Sequence, residues 1–594
     1  MARARLRAAT EAPLPQGAAA GRRAPLTQAA THLAQLLRAR SFAVEGEAPS
    51  VQRLRANVQA GPGELLSDAA VWIGTGAPPA DRLSVSLGEY AGTLGPNSFG
   101  FLNNLDGIAP LAAPMAERPR RGSIALIVPR RDALPEVVPL LCGHSLGISW
   151  LISVGDGDPS EALRFLTLDP ATTGVLLALG RGARAQTLLG AAPDKPLVVL
   201  EPPGLRDAVL VRAAARRLGA RWVGDLEEWL AHGALLESGV PPTNTEAPPR
   251  TASRRSPRNK ARAAVLVLGA GADLVASEAL RLGLPAPVRV DPDDSEAVAA
   301  ALQAAARAAE VLVLCGAPEL LPAGPAGLPT VKADPAQPQA LRAVLQAVAS
   351  PARQPGDERL IHAAADAGRV ESVLADLPPP LYIGAEAVSD EALSDQDTKR
   401  LLHAYGVRVT RQAPASTVTA ALRIFGKLDG PTLIVPGLGP LPDTAALAAA
   451  EAREAAVCDT QAAVKRHTSS LLARHAYVIL REALPASPRA RIVVGPERGL
   501  GAVLRMAPSS LPGASSGEER WEAALVPMQQ GEARELAAQL ACAHGCDAAG
   551  LERLLGQVAS CASEHALQLD LTLHPADEPT VTLATGVLKR AATK

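Results

Sequence analysis

Arg130 and Arg131 follow directly on an apolar run, where two guanidinium groups could hold a phosphate or an acidic partner; two solvated arginines in a turn are the simpler alternative. Gly269 and Gly271, in a Gly-Ala-Gly-Ala turn, have the spacing of a loop whose backbone N–H groups cradle a phosphate. A lone Gly-x-Gly also serves any tight strand–helix turn. Cys542, His544 and Cys546 place three soft ligands within five residues. Structural zinc usually takes four ligands in two pairs, and no second pair stands in the chain, so Cys542 and Cys546 read as neighbours on one helix face. Lys465, Arg466 and His467 could meet a nucleotide or form a charged helix end. Glu482 and Asp570 are the acids on offer for Mg²⁺, against the alternative of ordinary ion-paired carboxylates.

The elements that must position these residues read as alternating strands and helices. Apolar segments run over 123–128, 150–155, 161–166, 174–179 and 195–200, rich in Val, Ile and Leu. Near-continuous apolar strands are buried on both faces, and with helices between them they predict a parallel, doubly wound sheet. Such sheets bind ligands at the carboxyl ends of their strands, here at 128–131, at Gly155-Asp156-Gly157 and after Leu200. Upstream, the pattern predicts a helix over 27–40, strands over 41–46 and 69–74, and a turn-rich loop over 94–100. Downstream it predicts strands at 263–269, 310–315 and 329–331 with helices at 275–282 and 339–349. A helix opening at Ser394 and ending at Gly406 follows, then strands at 432–435, 477–480, 491–494, 502–504 and 567–571. Helices fill 459–475, 531–543 and 549–565.

A chain of 594 residues exceeds one core, and roughly three to five domains are expected. With 47% hydrophobic but only 2% aromatic residues, Ala, Leu and Val must do the packing, which favours α/β layers. The 59 basic and 60 acidic residues nearly cancel, so nothing suggests a nucleic-acid surface. Six irregularly spaced cysteines point to a reducing, cytoplasmic setting, and no charge-free apolar run is long enough to span a bilayer. The first 24 residues are Arg- and Ala-rich with one acid, Glu11, which suits a disordered start or a transit segment.

The order of pieces resembles the NDP-forming (ADP-forming) acyl-CoA synthetases, relatives of succinyl-CoA synthetase with both subunits fused. Gly95-Pro-Asn97-Ser-Phe-Gly100 is similar to the family's G-P-N-C-x-G. The run 153–172, with Gly155, Asp169 and Thr172, is similar to S-x-G-N…D…L…DP-x-T. Lys195-Pro-Leu-Val-Val-Leu200 matches K-P-V-V-V-L. Residues 268–275, with Gly269 and Gly271, resemble N-A-G-G-x-G-x-L, and 394–407 resemble the first helix of the family's ATP-grasp part.

The resemblance implies a multi-domain α/β chain. A shortened Rossmann-like CoA-binding domain (26–116) follows a disordered N-terminus (1–25). Two flavodoxin-like, succinyl-CoA synthetase-like domains come next (117–236 and 262–352), and a C-terminal ATP-grasp-like domain closes the chain (391–594); linkers lie at 237–261 and 353–390. It implies CoA and ATP/Mg as cofactors, with Gly46, Gly95, Asn97, Gly155, Gly269 and Gly271 at cofactor positions and Glu482 and Asp570 at the metal. It also implies phosphoryl transfer through a histidine on a swinging loop.

The departures fall on that chemistry. The family's S-Q-S-G turn would stand at Val128-Pro-Arg-Arg131, where Pro129 has no N–H to give. No histidine lies between His144 and His232, where the S-H-T-G loop belongs. P-V-V-L-K becomes Pro431-Thr-Leu-Ile-Val435 without the lysine, and an Ala-rich helix replaces H-K-S-D-x-G-G. Gly46 is followed by Glu47, an acid beside the expected pyrophosphate. No intact catalytic residue is assigned. The expectation is a homologue that has lost phosphohistidine catalysis and serves in a homo-oligomer or with a protein partner, the alternative being an active CoA ligase.

Overall fold

The computed structural model describes residues 28–588, apart from 116, 130–136, 138–139, 142–145, 192–194, 240–260, 270, 283, 318–320, 323, 326–327, 334, 336–337, 350–358, 362, 364, 377–390, 429, 439–443, 485–488, 498–499, 510–520, 545–546, 566 and 575–578. The chain forms two compact units that divide between Pro355 and Gly356.

The first unit carries three sheets. β1 (Ser41–Glu45), β2 (Glu64–Leu65), β3 (Val71–Gly74) and β4 (Leu83–Ser86) make a parallel sheet in the order β2-β1-β3-β4. The sequence allowed about three strands here; the two it did not mark, β2 and β4, are too short to show a period. One helix, Pro49–Gln59, covers the β1–β2 crossover and starts on a proline, whose fixed φ suits the first helical turn.

β5 (Phe101–Asn103), β6 (Arg121–Pro129), β7 (Ile148–Gly155), β8 (Gly174–Ala178), β9 (Leu197–Leu200) and β10 (Arg221–Val223) form the second sheet, in the order β10-β9-β8-β6-β7-β5. From β6 to β10 all pairs are parallel, in the flavodoxin-like order 2-1-3-4-5; β5 adds antiparallel to β7. All eight residues of β7 are buried, as expected of a strand covered on both faces. The apolar segment 161–166 is not a strand. It lies in the helix Ser160–Leu168, because Ala162, Leu163, Phe165 and Leu166 fall on one helical stripe while Arg164 pairs outward with Glu161.

β11 (Ala261–Leu268), β12 (Val288–Val290), β13 (Ala309–Cys315) and β14 (Thr330–Ala333) form a parallel sheet ordered β12-β11-β13-β14, the same winding with one strand fewer. The helix Leu226–Glu237 buries Trp229, Leu230, Ala231, Leu235 and Leu236 and serves both sheets. Its Trp229 donates to the Val198 carbonyl of β9, while Ala231 and Leu235 join the core of β11 and β13. The Ala-rich helix Ser295–Ala308, capped by Asp294, escaped the sequence reading.

The second unit has two antiparallel sheets. β15 (Glu391–Leu393) belongs to the larger. β16 (Gln412–Ala415), β17 (Thr432–Pro436), β18 (Ala456–Cys458) and β19 (Val478–Glu482) form the smaller, in the order β16-β19-β17-β18. The larger is completed by β20 (Arg489–Glu497), β21 (Gly501–Ser509), β22 (Glu522–Val526), β23 (Leu567–His574) and β24 (Thr580–Leu588), in the order β15-β24-β23-β20-β21-β22. The helices Asp395–Ala404, Gln530–His544 and Ala548–His565 pack on the larger sheet, and Val418–Phe425 and Gln461–Leu472 on the smaller. Within the stretch read as a linker, Ala367–Asp376 is a helix that buries Val370 and Val373 in the unit's main core. Among the described residues no helix is long and apolar enough to cross a membrane.

Candidate functional site

In the second unit a cleft of about 270 Å³ opens between the two sheets, lined by Leu433, Ala448, Glu451, Arg481, Thr582 and His574 among others. Glu451 and Arg481 of its lining belong to a buried network of charges that continues beneath it to Asp395 and Lys399. Ser394 caps the helix Asp395–Ala404 by accepting from the Asp397 N–H, and Gly406, at φ +79°, terminates it. That register sets Asp395 and Lys399 on the same face, one turn apart. Arg481 enters from β19, the lone charge in the buried run Val478–Arg481. Glu451 enters from the helix Thr444–Ala452.

Both terminal nitrogens of Arg481 donate to Glu451 at 3.0 Å; one also reaches Asp395 at 3.2 Å, and Nε donates to Gln412 Oε1 at 3.0 Å. Lys399 Nζ, only 2% exposed, meets Asp395 and Thr410 at 3.1 Å, Gln412 Oε1 at 3.0 Å and the Thr582 carbonyl at 2.5 Å. Asp395 also accepts from the Ala584 N–H at 2.8 Å. Two cations and two anions thus cancel inside the protein, and every oxygen and nitrogen described has a partner. Burial, then the neighbouring Arg481, pull the Lys399 pKa down to about 7, with Asp395 opposing. For Asp395 burial pushes upward, but Lys399, Arg481 and its hydrogen bonds outweigh it and hold the carboxyl below its ordinary range. Arg481 is raised: burial lowers it, and Glu451 and Asp395 more than compensate.

In the first unit, three of the marked residues come together at the carboxyl end of β7. Gly95 packs against Gly157 and the Val154 carbonyl, and a β-carbon on Gly155, at φ +59°, would collide with the Pro96 carbonyl. Asn97, itself at φ +60°, donates to Asp156 at 2.7 Å. Ser98 Oγ donates to the Ser153 carbonyl at 2.6 Å, and Ser153 Oγ accepts from the Phe99 N–H at 3.1 Å. The loop 94–100 therefore packs on the carboxyl end of β7. After β9, Glu201 accepts from Trp222 Nε1 at 2.7 Å and from Arg212 at 3.1 Å, so this acid too is committed.

No family model matches the chain, and no curated protein matches it. Solved structures do. The apo form of the dinucleotide-forming acetyl-coenzyme A synthetase 1 of Candidatus Korarchaeum cryptofilum is 13% identical, with a TM-score of 0.37 over 53% of this chain and 96% of that one. PH0766 from Pyrococcus horikoshii OT3 is 13% identical, with a TM-score of 0.37 over 53% and 98%. PH1788 from the same organism is 15% identical, with a TM-score of 0.30 over 38% and 99%.

The other marked residues are dispersed. Gly46, at φ +111°, makes the turn after β1 with Thr75 against it. Gly269 and Gly271, at φ +85° and +89°, carry the chain from β11 into the helix Ala272–Arg281, and Pro335 closes over Gly271. Glu482 ends β19 and pairs with Arg411 at 3.3 Å. Asp570, on β23, takes two bonds from Arg491 at 3.0 and 2.7 Å and two from Thr444 at 3.0 and 3.1 Å. The two acids offered for Mg²⁺ thus stand in different sheets, each engaged by an arginine, as ion-paired carboxylates. His467 bonds the Glu454 carbonyl at 2.9 Å. Arg130, Arg131 and the side chains of Cys542, His544 and Cys546 lie outside the described residues.

Sequence reasoning missed Asp395, Glu451 and Arg481. A charge inside the run Val478–Arg481 was the available signal for Arg481, since an unpaired charge does not survive in a buried strand. Glu451, within an Ala-rich helix, gave none. The matched stretches 169–172 and 195–200 turn out to be fasteners. Asp169 Oδ2 accepts from Trp150 Nε1 at 2.9 Å and from Thr172 at 2.7 Å, and Lys195 donates to the Leu166 carbonyl at 2.6 Å and to that of Asp169.

Proposed function

We propose that this chain has the scaffold of an ADP-forming acid–CoA ligase without its phosphohistidine relay, and that it serves a structural or regulatory role in an assembly. The observation that carries this reading is the self-neutralised charge network at the cleft. Arg481 and Lys399, the cations that a nucleotide's phosphates would need there, are buried and committed to Glu451, Asp395 and neighbouring oxygens. Recruiting Arg481 for a phosphate would strand the buried Glu451 carboxylate that it clasps, at roughly 3–5 kcal/mol. The loop after β9 brings Glu201 rather than a histidine, and Glu201 already serves Trp222 and Arg212. Cys315, Cys458 and Cys561 are buried free thiols, which suits the reducing cytoplasm.

The open cleft favours one second reading, a chain that still binds nucleotide and CoA. Titration calorimetry with coenzyme A, with ADP and phosphate, and with Mg-ATP separates the two. The scaffold reading expects no heat of binding, no acid-labile phosphoprotein from labelled ATP and no CoA thioester, together with a stable oligomer or co-purifying partner on native mass measurement. A labelled histidine or thioester formation would sink it.

A further inference from the structure

We infer that the helix Thr444–Ala452 is a strut, held by charge to a different sheet at each end, that sets the width of the cleft beneath it. At its start Asp570 of β23 receives both the backbone N–H and the hydroxyl of Thr444, at 3.1 and 3.0 Å, while Arg491 holds the same carboxylate in a two-point pair. At its end Glu451 clasps Arg481 of β19 with two bonds of 3.0 Å. β23 belongs to the six-stranded sheet and β19 to the four-stranded one, so this helix spans the two, beside the direct Asp395 link from Arg481 of β19 to Ala584 of β24. Ala448 and Ala452 present its face to the cleft, with Leu433 and Val457 of the smaller sheet and Thr582 and Leu583 of the larger also in the lining. The polar fastenings lie at the two ends, and the middle of the cleft-facing stripe offers only methyl groups. Two-point, charge-assisted contacts are the geometrically specific kind, whereas an alanine face alone would let the helix slide. The inference holds whether the cleft takes a nucleotide or nothing.

The test is hydrogen exchange followed by mass spectrometry on the full-length chain. Glu451→Gln at one end and Thr444→Ala at the other should each speed exchange of amides 444–452, by about tenfold or more for the first and about fivefold for the second. The helices Asp395–Ala404 and Ala548–His565 should stay as protected as before. Arg411→Gln, which breaks only the Arg411–Glu482 pair at the rim, should leave the helix unchanged. Unaltered exchange of 444–452 in both end variants, an equal rise across the whole unit, or a rise with Arg411→Gln would each overturn the strut. Thr444→Ala keeps the Asp570–Arg491 pair intact and so reports even if Glu451→Gln fails to fold.

Discussion

Replacing Lys399 by Met probes the buried network at the residue where burial and charge pairing oppose each other most sharply. The methionine has similar length and no charge. Asp395 would keep Arg481, Gln412 and the Ala584 N–H, so no acid is left bare. In the folded chain Lys399 titrates at about 7, against 10.5 for a free lysine. The folded state therefore sheds this proton first. Between those two values the unfolded state binds more protons, and stability rises with pH by about 1.4 kcal/mol per pH unit. From pH 7, where the folded lysine is half deprotonated, to pH 8.5 the gain is about 1.6 kcal/mol, or roughly 15-fold in the folded-to-unfolded ratio. Tyr405 and Cys561, whose pKa values burial raises, act in the opposite direction at higher pH, and both chains share them. The quantity to measure is thus the difference between wild type and Lys399→Met. Protection of the slowest amides in β20 and β23, followed from pH 6 to 8.5 and corrected for intrinsic exchange, reads it directly. The wild-type advantage should be flat below pH 7 and grow above it. A difference that stays constant to pH 8.5 would refute the reasoning and mean that the oxygen cage keeps the ammonium charged.

Asp395→Ala removes the carboxylate that Lys399, Arg481, Gln412 and the Ala584 N–H share and should destabilise the second unit by roughly 3–5 kcal/mol in denaturant unfolding. Asp395 titrates below its unfolded value of 3.8, so its contribution is present above that pH and lost as pH falls through the lower folded value. Asp395→Asn should accordingly flatten the acid limb of the stability profile. In the first unit, Gly155→Ala forces a β-carbon into the Pro96 carbonyl at positive φ and should lose roughly 2–4 kcal/mol, visible as a lowered guanidinium midpoint. Asp169→Ala strips the acceptor from the buried Trp150 indole N–H, while Thr172 keeps Ser149, and one stranded donor predicts a loss of roughly 1–3 kcal/mol in the same assay.

Most of the layered order is legible in the residues alone. β6 to β9, β11 and β13 are runs of Val, Ile and Leu bounded by Gly or Pro, and a parallel strand buried on both faces leaves that signature. The segment 161–166 is where the signature misleads. Its apolar residues fall in pairs around Arg164, and over six residues a strand and a buried helical stripe look alike. β4 went unmarked because four residues are too few to show a period, and β24 because Ala and Gly interrupt its apolar positions. The site was less legible than the fold. Asp395 and Lys399 could be placed on one helix face by spacing, but their partners Glu451 and Arg481 lie far along the chain on other elements.

By itself, the sequence determined which residue types stand where. Pro129, without an N–H, ends an apolar strand, no histidine lies between His144 and His232, and the strand 432–435 carries no lysine. These are facts of residue type, and no folding can change them. Only the tertiary structure decided what the remaining residues do. Gly95, Asn97 and Gly155 meet because β5 pairs with β7, and they close a strand end; Asp570 turns to Arg491 and Thr444. Lys399 and Arg481 cancel against two acids at the junction of two sheets. The physical reason is range: residue type and local period act over one turn or one strand, whereas the partner of a buried charge is chosen by which distant elements share a core.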